Sequence, residues 1–232
     1  MERIEALGWL EIDAKLEASG CTLAGQVLTH AQCNALIALY EDDARFRKRV
    51  VMERHRFGRG DYAYLAHPLP EIVSELRRAL YPRLAPIANR WAEALQRPER
   101  YPAQLDDFLE RCHRAGQTKP TPLLLHYQKS GFNCLHRDLY GAHAFPLQVM
   151  VMLSDPGTDF TGGQFLVVEN RARQQSIGTA LSPSRGELVV FAVNERPVPS
   201  KRGFARAALR HGVSEVESGQ RYTLGIIFHD AA

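Results

Sequence analysis

Apolar positions along the chain follow two different periods. Up to about residue 118 they recur at helical spacing, and beyond it they fall in short blocks bounded by turn residues. In 2–18, Ile4, Leu7, Leu10, Ile12 and Leu16 predict one amphipathic helix. Thr29 is placed to cap a second, HAQCNALIALYEDD. A longer segment from Pro70, EIVSELRRALYPRLAPIANRWAEAL, predicts a third that Pro82 and Pro86 should kink or divide. The run AQLDDFLERCHRAG predicts a fourth, stopping at Gly116.

From Pro120 onward the runs PLLLHYQ, FPLQVMVML, GGQFLVVEN, IGTAL, GELVVFAV, RAALRHGVSEV and QRYTLGIIFHD read as strands. KSGFN, DPGTDFTGG, SPSRG and VESGQ are the turns between them. Strands of this length without a long helix between them predict, in an α+β chain, either a β-sandwich or a jelly-roll (double-stranded β-helix) core. No linker composition intervenes, so 1–232 is expected to form one unit, with 1–118 as helical support and substrate lid and 119–232 as the catalytic core.

Composition changes this picture little. With 45% hydrophobic and 24% charged residues in 232, the chain can bury a sizeable core, and its net charge of +3 permits an acidic partner without requiring one. The four cysteines form no CxxC pair and match no zinc-finger spacing. The acidic, amphipathic N-terminus does not resemble a secretory signal, and no apolar run approaches the ~20 residues of a membrane span. A reduced, cytoplasmic protein with no membrane association is expected.

The candidate chemistry starts at 134–138, CLHRD. On an extended segment His136 and Asp138, two apart, point to the same side and can reach one ion. The bland alternative is a polar face on a surface strand. His211, in the late run LRHGV, is the natural third ligand. Two imidazoles and a carboxylate form the facial set that suits non-haem Fe(II) and leaves positions open. Zinc is less favoured, since no cysteine falls at ligand spacing. Of the nine histidines, His30, His67, His113, His143 and His229 are expected to be bystanders.

A second feature is DARFRKRVVMERHRFGRGDYAYL, 43–65. Arg45, Arg47, Lys48, Arg49, Arg54, Arg56 and Arg59 interleave with Phe46, His55, Phe57, Tyr62 and Tyr64. Cations neutralise phosphates and aromatic rings stack on extruded bases, so the segment reads either as a nucleic-acid-binding lid or as a solvated basic loop.

His136, Asp138 and His211, followed ten residues later by Arg221, resemble the pattern of the Fe(II)/2-oxoglutarate-dependent dioxygenases. DFTGGQFLVVE looks like that superfamily's Phe–Gly–Gly turn, and the likeness spans roughly 120–230. It implies Fe(II) as cofactor, 2-oxoglutarate and dioxygen as co-substrates, and oxidation of a substrate carbon. It also implies that Arg221 and Thr223 hold the far carboxylate of 2-oxoglutarate and that Tyr127 hydrogen-bonds the co-substrate. The alternatives are an Arg221 paired with a structural acid such as Glu187 or Glu217, and a core tyrosine. Gln148, polar amid PLQVMV, faces either the pocket or the outside.

LYPRLAPIANRW, AGQTKPTPLLL, LHRDLYG, FPLQV, FTGGQF and YTLGIIFHD are similar to a bacterial AlkB-like family over nearly the whole chain. That likeness implies oxidative demethylation of alkylated, single-stranded or damaged nucleic acid, a DNA-repair role. Arg56, Phe57, Tyr62, Tyr64 and Gln148 are then the candidate substrate contacts. The glycine–glycine turn also resembles prolyl-hydroxylase-type members, so a peptide or small-molecule hydroxylase is the alternative. A non-catalytic metal-binding module is the second alternative.

Overall fold

Strand pairing organises the chain into two facing sheets. The structure, a computed structural model, describes residues 2–138 and 141–232. Its helices are α1 (Glu2–Glu5), α2 (Trp9–Ser19), α3 (His30–Ala38), α4 (Glu71–Ala94) and α5 (Leu105–Arg114). The strands of the first half are β1 (Cys21–Gln26), β2 (Phe46–Val51), β3 (Gly58–Arg59) and β4 (Asp61–Leu65). Those of the second half begin with β5 (Leu123–Gln128), β6 (Phe132–His136), β7 (Leu147–Met152), β8 (Phe160–Gly162) and β9 (Phe165–Asn170). They continue with β10 (Ile177–Leu181), β11 (Glu187–Ala192), β12 (Glu195–Ser200), β13 (Gly203–Val213) and β14 (Val216–Ile226).

The larger sheet runs β1-β11-β7-β14-β5-β4-β2, with β8 joined to β14. The smaller runs β10-β9-β13-β6-β3, with β12 joined to β13. Every ladder within them is antiparallel, and of the two cores expected from the turn-punctuated second half this is the double-stranded β-helix.

The first half departs from the mainly helical expectation. It contributes β1, β2 and β4 to the larger sheet and β3 to the smaller. Residues 43–65, expected as a lid or loop, are mostly strand. β2 (FRKRVV) is a sheet edge, where arginine and lysine protect unpaired backbone from association. This explains why a strand there lacks an apolar signature. The helix expected over 2–18 breaks between Glu5 and Trp9. Thr29 caps α3, accepting from Gln32 N while the Gln32 side chain accepts from Thr29 N.

Pro82 and Pro86 do not divide α4. Each removes an intrahelical donor, but the stripe Val73, Leu76, Leu80, Leu84, Ala88 and Trp91 is buried with Leu147, Val149 and Val151 of β7 in one core. Each buried leucine contributes roughly 2 kcal/mol, so the stripe outweighs the lost bonds. With helices on one face and the barrel interior on the other, all six residues of β7 are buried. A second cluster, Met52, Tyr127, Met152, Phe160, Val213 and Val216, fills one end of the barrel. Among the described residues no helix is long and apolar enough to cross a membrane.

Candidate active site

His136 ends β6 and pairs in register with His211 of β13. Asp138 follows β6 by two residues and inserts a carboxylate between them. Its Oδ1 lies 3.6 Å from His136 Nε2 and its Oδ2 3.3 Å from His211 Nε2. The ligand atoms of all three lie within 4.8 Å of one another. Metal–ligand bonds of ~2.1 Å at right angles separate neighbouring donors by ~3 Å, so each imidazole has to draw only slightly closer to the Asp138 carboxylate to share one ion with it.

The tautomer suits a metal. Cys134 O can only accept, so His136 Nδ1 donates to it at 2.8 Å and Nε2 keeps its lone pair for an ion. Burial, reinforced by the neighbouring His211, holds the His136 pKa below its ordinary value, which favours the neutral, ligating form.

Beside the corner a cavity of about 470 Å³ opens between the sheets. It is lined by the three residues above and by Tyr127, Thr223 and Arg221. Arg56, Phe57, Tyr62, Tyr64 and Gln148 line it too, so the candidate metal ligands, co-substrate contacts and substrate contacts border one space. Gln148 therefore faces the pocket; it is buried, and its Nε2 has no partner among the described residues.

Arg221 is 1% exposed, and none of its three guanidinium nitrogens has a hydrogen-bond partner among the described residues. It pairs with neither Glu187 nor Glu217: Glu187 Oε2 accepts from Ser184 N, and no ion pair joins Arg221 to either acid. The Tyr127 and Phe160 rings lie 5.5 Å and 5.9 Å from its Cζ. Burial lowers the Arg221 pKa to about 10, which still leaves a cation at neutral pH. A buried cation without a counter-ion is costly and is a receptor for an anion. Thr223, two residues along β14, shares its face. Burial raises the Tyr127 phenol to about 12, so it remains a donor.

Asn133 was missed. Its Nδ2 donates to Tyr127 Oη at 3.4 Å and it lines the cavity, but KSGFN reads as a turn, which hides the start of β6. His113 and His229 are not idle. His113 Nε2 lies 2.8 Å from Asp230 Oδ2, and Arg77 Nη2 donates to Asp230 Oδ1 at 2.8 Å. Phe145 N donates to His229 Nδ1 at 3.1 Å, and Gln117 joins His143 to Asp230 O, tying the chain after Asp138 to its C-terminal end. Leu139 and Tyr140, in the LHRDLYG word, lie outside the described residues.

The basic segment divides in two. Arg45 meets Asp42, Arg47 donates to Pro120 O and covers Tyr64, and Arg49 meets Asp43 and Asp61. Arg54, Arg56 and Arg59 are exposed, alongside exposed Phe57, which stacks on His55 at 5.3 Å, and exposed Phe132 and Leu135.

Several solved structures share the fold. A Pseudomonas putida prolyl-4-hydroxylase superposes with a TM-score of 0.57 at 14% identity, covering 97% of this chain and 99% of its own. An oxidoreductase of the 2OG-Fe(II) oxygenase family from Burkholderia pseudomallei gives 0.55 at 15%, covering 97% and 92%. Uncharacterized proteins from two strains of Mycobacterium tuberculosis are 51% identical over 165 residues, 71% of each chain. The fold is the one found in the 2OG-Fe(II) oxygenase family, and the His–Asp–His corner is a ligand set able to hold a metal ion. Residues 60–231 match the Oxygenase-NA family model, described as an oxygenase catalysing oxidative methylation of damaged DNA, and the chain belongs to that family.

Proposed function

We propose that the protein oxidatively demethylates alkylated bases in single-stranded or damaged nucleic acid. His136, Asp138 and His211 would hold Fe(II). The donor set fits the ion: two Nε2 lone pairs and one carboxylate gathered at one corner, with open cavity beside them. Bound iron supplies the means of using dioxygen, with 2-oxoglutarate giving up two electrons as it becomes succinate and carbon dioxide.

The observation that carries the reading is the unpartnered, buried guanidinium of Arg221 in the cavity that holds the three ligands. It takes the far carboxylate of 2-oxoglutarate in a two-pronged bond, Thr223 adds a hydroxyl donor, and Tyr127 donates from the side. These contacts fix the direction of the co-substrate and keep water from the cation.

Arg56, Phe57, Tyr62, Tyr64 and Gln148 line the remaining wall and are the proposed substrate contacts. Aromatic faces stack on a base, and the Gln148 amide meets its polar edge. Exposed Arg54, Arg56 and Arg59 neutralise flanking phosphates. Oxidation of an N-methyl carbon gives an N-hydroxymethyl group, which loses formaldehyde and leaves the bare amine. A cytoplasmic setting is supported by four free thiols, Cys21, Cys33, Cys112 and Cys134.

One observation favours a second reading, hydroxylation of a peptide: the prolyl-4-hydroxylase fold neighbour, together with exposed apolar Phe57 and Leu135 at the cavity mouth. The two readings separate on one assay. Formaldehyde released from an N-methylated oligonucleotide, dependent on Fe(II) and 2-oxoglutarate and lost in His136→Ala, supports demethylation. No release from any methylated strand, with co-substrate turnover intact, contradicts it.

A further inference from the structure

We propose that Gly163 is a positioning residue that sets how far the Arg221 guanidinium reaches into the cavity, and so the length of the keto diacid the site accepts. This rests on the reading of Arg221 as the carboxylate anchor.

Gly163 follows β8 in the FTGG turn and has φ +59, a left-handed conformation that favours glycine. Its N–H donates to Glu215 O at 2.8 Å, which fixes the turn against the start of β14. A Cβ at this position would lie 2.8 Å from Arg221 Cδ and 3.0 Å from Val216 Cγ2. The first is closer than carbon atoms tolerate, and the second requires Val216 to give by a few tenths of an ångström. Val216 is fully buried in the cluster at the end of the barrel and has no free space to enter.

Arg221 lines the cavity and Gly163 does not, so Gly163 packs against the arginine from behind. Phe160, from the same turn, borders the guanidinium at 5.9 Å. The turn thus frames the arginine with a ring and with a bare backbone. Any side chain at 163 pushes the cation forward into the space that the five-carbon diacid occupies. A shorter diacid loses less from this than 2-oxoglutarate does.

The test is calorimetric titration of 2-oxoglutarate, and separately of four-carbon oxaloacetate, into Mn(II)-loaded protein without oxygen. Mn(II) affinity is measured in each variant. Gly163→Ala is expected to weaken 2-oxoglutarate by about tenfold or more, since ångström-scale misplacement carries penalties of that order. Oxaloacetate should weaken less, and Mn(II) affinity should not change. Gly157→Ala is the control: φ is +86 there and nothing lies within 4 Å of an added Cβ, so it imposes backbone strain without crowding.

Arg221→Gln distinguishes the role of the turn from that of the carboxylate anchor. If Arg221→Gln weakens 2-oxoglutarate but Gly163→Ala stays within twofold of the wild type, the inference is overturned and the anchor reading stands. If Arg221→Gln has no effect, the anchor reading falls and takes the inference with it. Equal losses in Gly163→Ala and Gly157→Ala, or for the two diacids, also overturn the inference. Should Gly163→Ala not fold, Val216→Ala is added to make room for the methyl. Val216→Ala leaves the Arg221 Cδ contact in place, so a folded double variant that still binds 2-oxoglutarate weakly supports the inference, and one that binds it as tightly as Val216→Ala alone contradicts it.

Discussion

His136 and His211 face each other across the β6–β13 ladder, with ring centroids 4.3 Å apart and the Asp138 carboxylate reaching toward both. Residues 75 positions apart in the chain are thus placed by backbone register rather than by a flexible loop. Removing one donor leaves the other two in place but breaks the facial set. His136→Ala, Asp138→Ala and His211→Ala are each expected to lower Mn(II) or Fe(II) affinity by at least about a hundredfold, because even outer partners of metal ligands cost 10–100-fold. Melting temperatures without metal should stay close to the wild type. Metal titration checks this, and retention of wild-type affinity by any one variant contradicts the assignment.

Arg221 presents the opposite balance of stability and function. Its buried charge has no partner among the described residues, so Arg221→Met should raise the melting temperature of the ligand-free protein, an apolar replacement removing an uncompensated charge. The same change should cost 2-oxoglutarate roughly 2 kcal/mol or more of binding, about thirtyfold in Kd. Thermal melts and titration on one sample measure both. A destabilised Arg221→Met that binds 2-oxoglutarate normally contradicts the anchor.

Much of this was legible because chemistry and period coincide. His136, Asp138, His211, Arg221 and Thr223 sit on or next to strands whose alternation can be read, so the shared face follows from counting by two. The seven strand runs after Pro120 all correspond to strands. What stayed hidden lacks local periodicity. β2 carries arginines because it is an edge, β3 is two residues long, and Asn133 lies in a stretch that reads as a turn. The proline-containing α4 is continuous because of tertiary burial, which no local rule for proline includes. Likewise the division of the basic segment into engaged Arg47 and Arg49 and exposed Arg54, Arg56 and Arg59 depends on Pro120, Asp43 and Asp61, acceptors that the residue pattern does not reveal.

The exposed arginines predict a salt signature. Single-strand binding loses about 0.7 of log–log salt slope per phosphate contact, so Arg54→Ala, Arg56→Ala and Arg59→Ala together should flatten the slope by about 2. Fluorescence anisotropy with a methylated single strand at several salt concentrations measures it. An unchanged slope contradicts a nucleic-acid rim at β3.

His229 predicts acid sensitivity. Burial, with Arg77 nearby, lowers its pKa from 6.5 to about 4. The unfolded chain therefore binds a proton before the folded one does. Its stabilising contribution is complete above 6.5 and is lost as pH falls toward about 4, on the order of 3 kcal/mol across that window. His229→Asn keeps an acceptor for Phe145 N and does not titrate, so its urea-unfolding stability should fall less between pH 7 and pH 5 than that of the wild type. Parallel pH profiles contradict the assignment.

His136, Asp138 and His211 are assigned to hold ferrous iron within reach of a 2-oxoglutarate anchored on Arg221. Succinate formation from 2-oxoglutarate, with Fe(II) and dioxygen and without added substrate, tests this assignment most directly. Wild-type protein should form succinate slowly and only with iron, and production should disappear in Asp138→Ala and require higher 2-oxoglutarate in Arg221→Gln. Wild-type protein with iron bound and no succinate formed, or Asp138→Ala turning over at the wild-type rate, would contradict it.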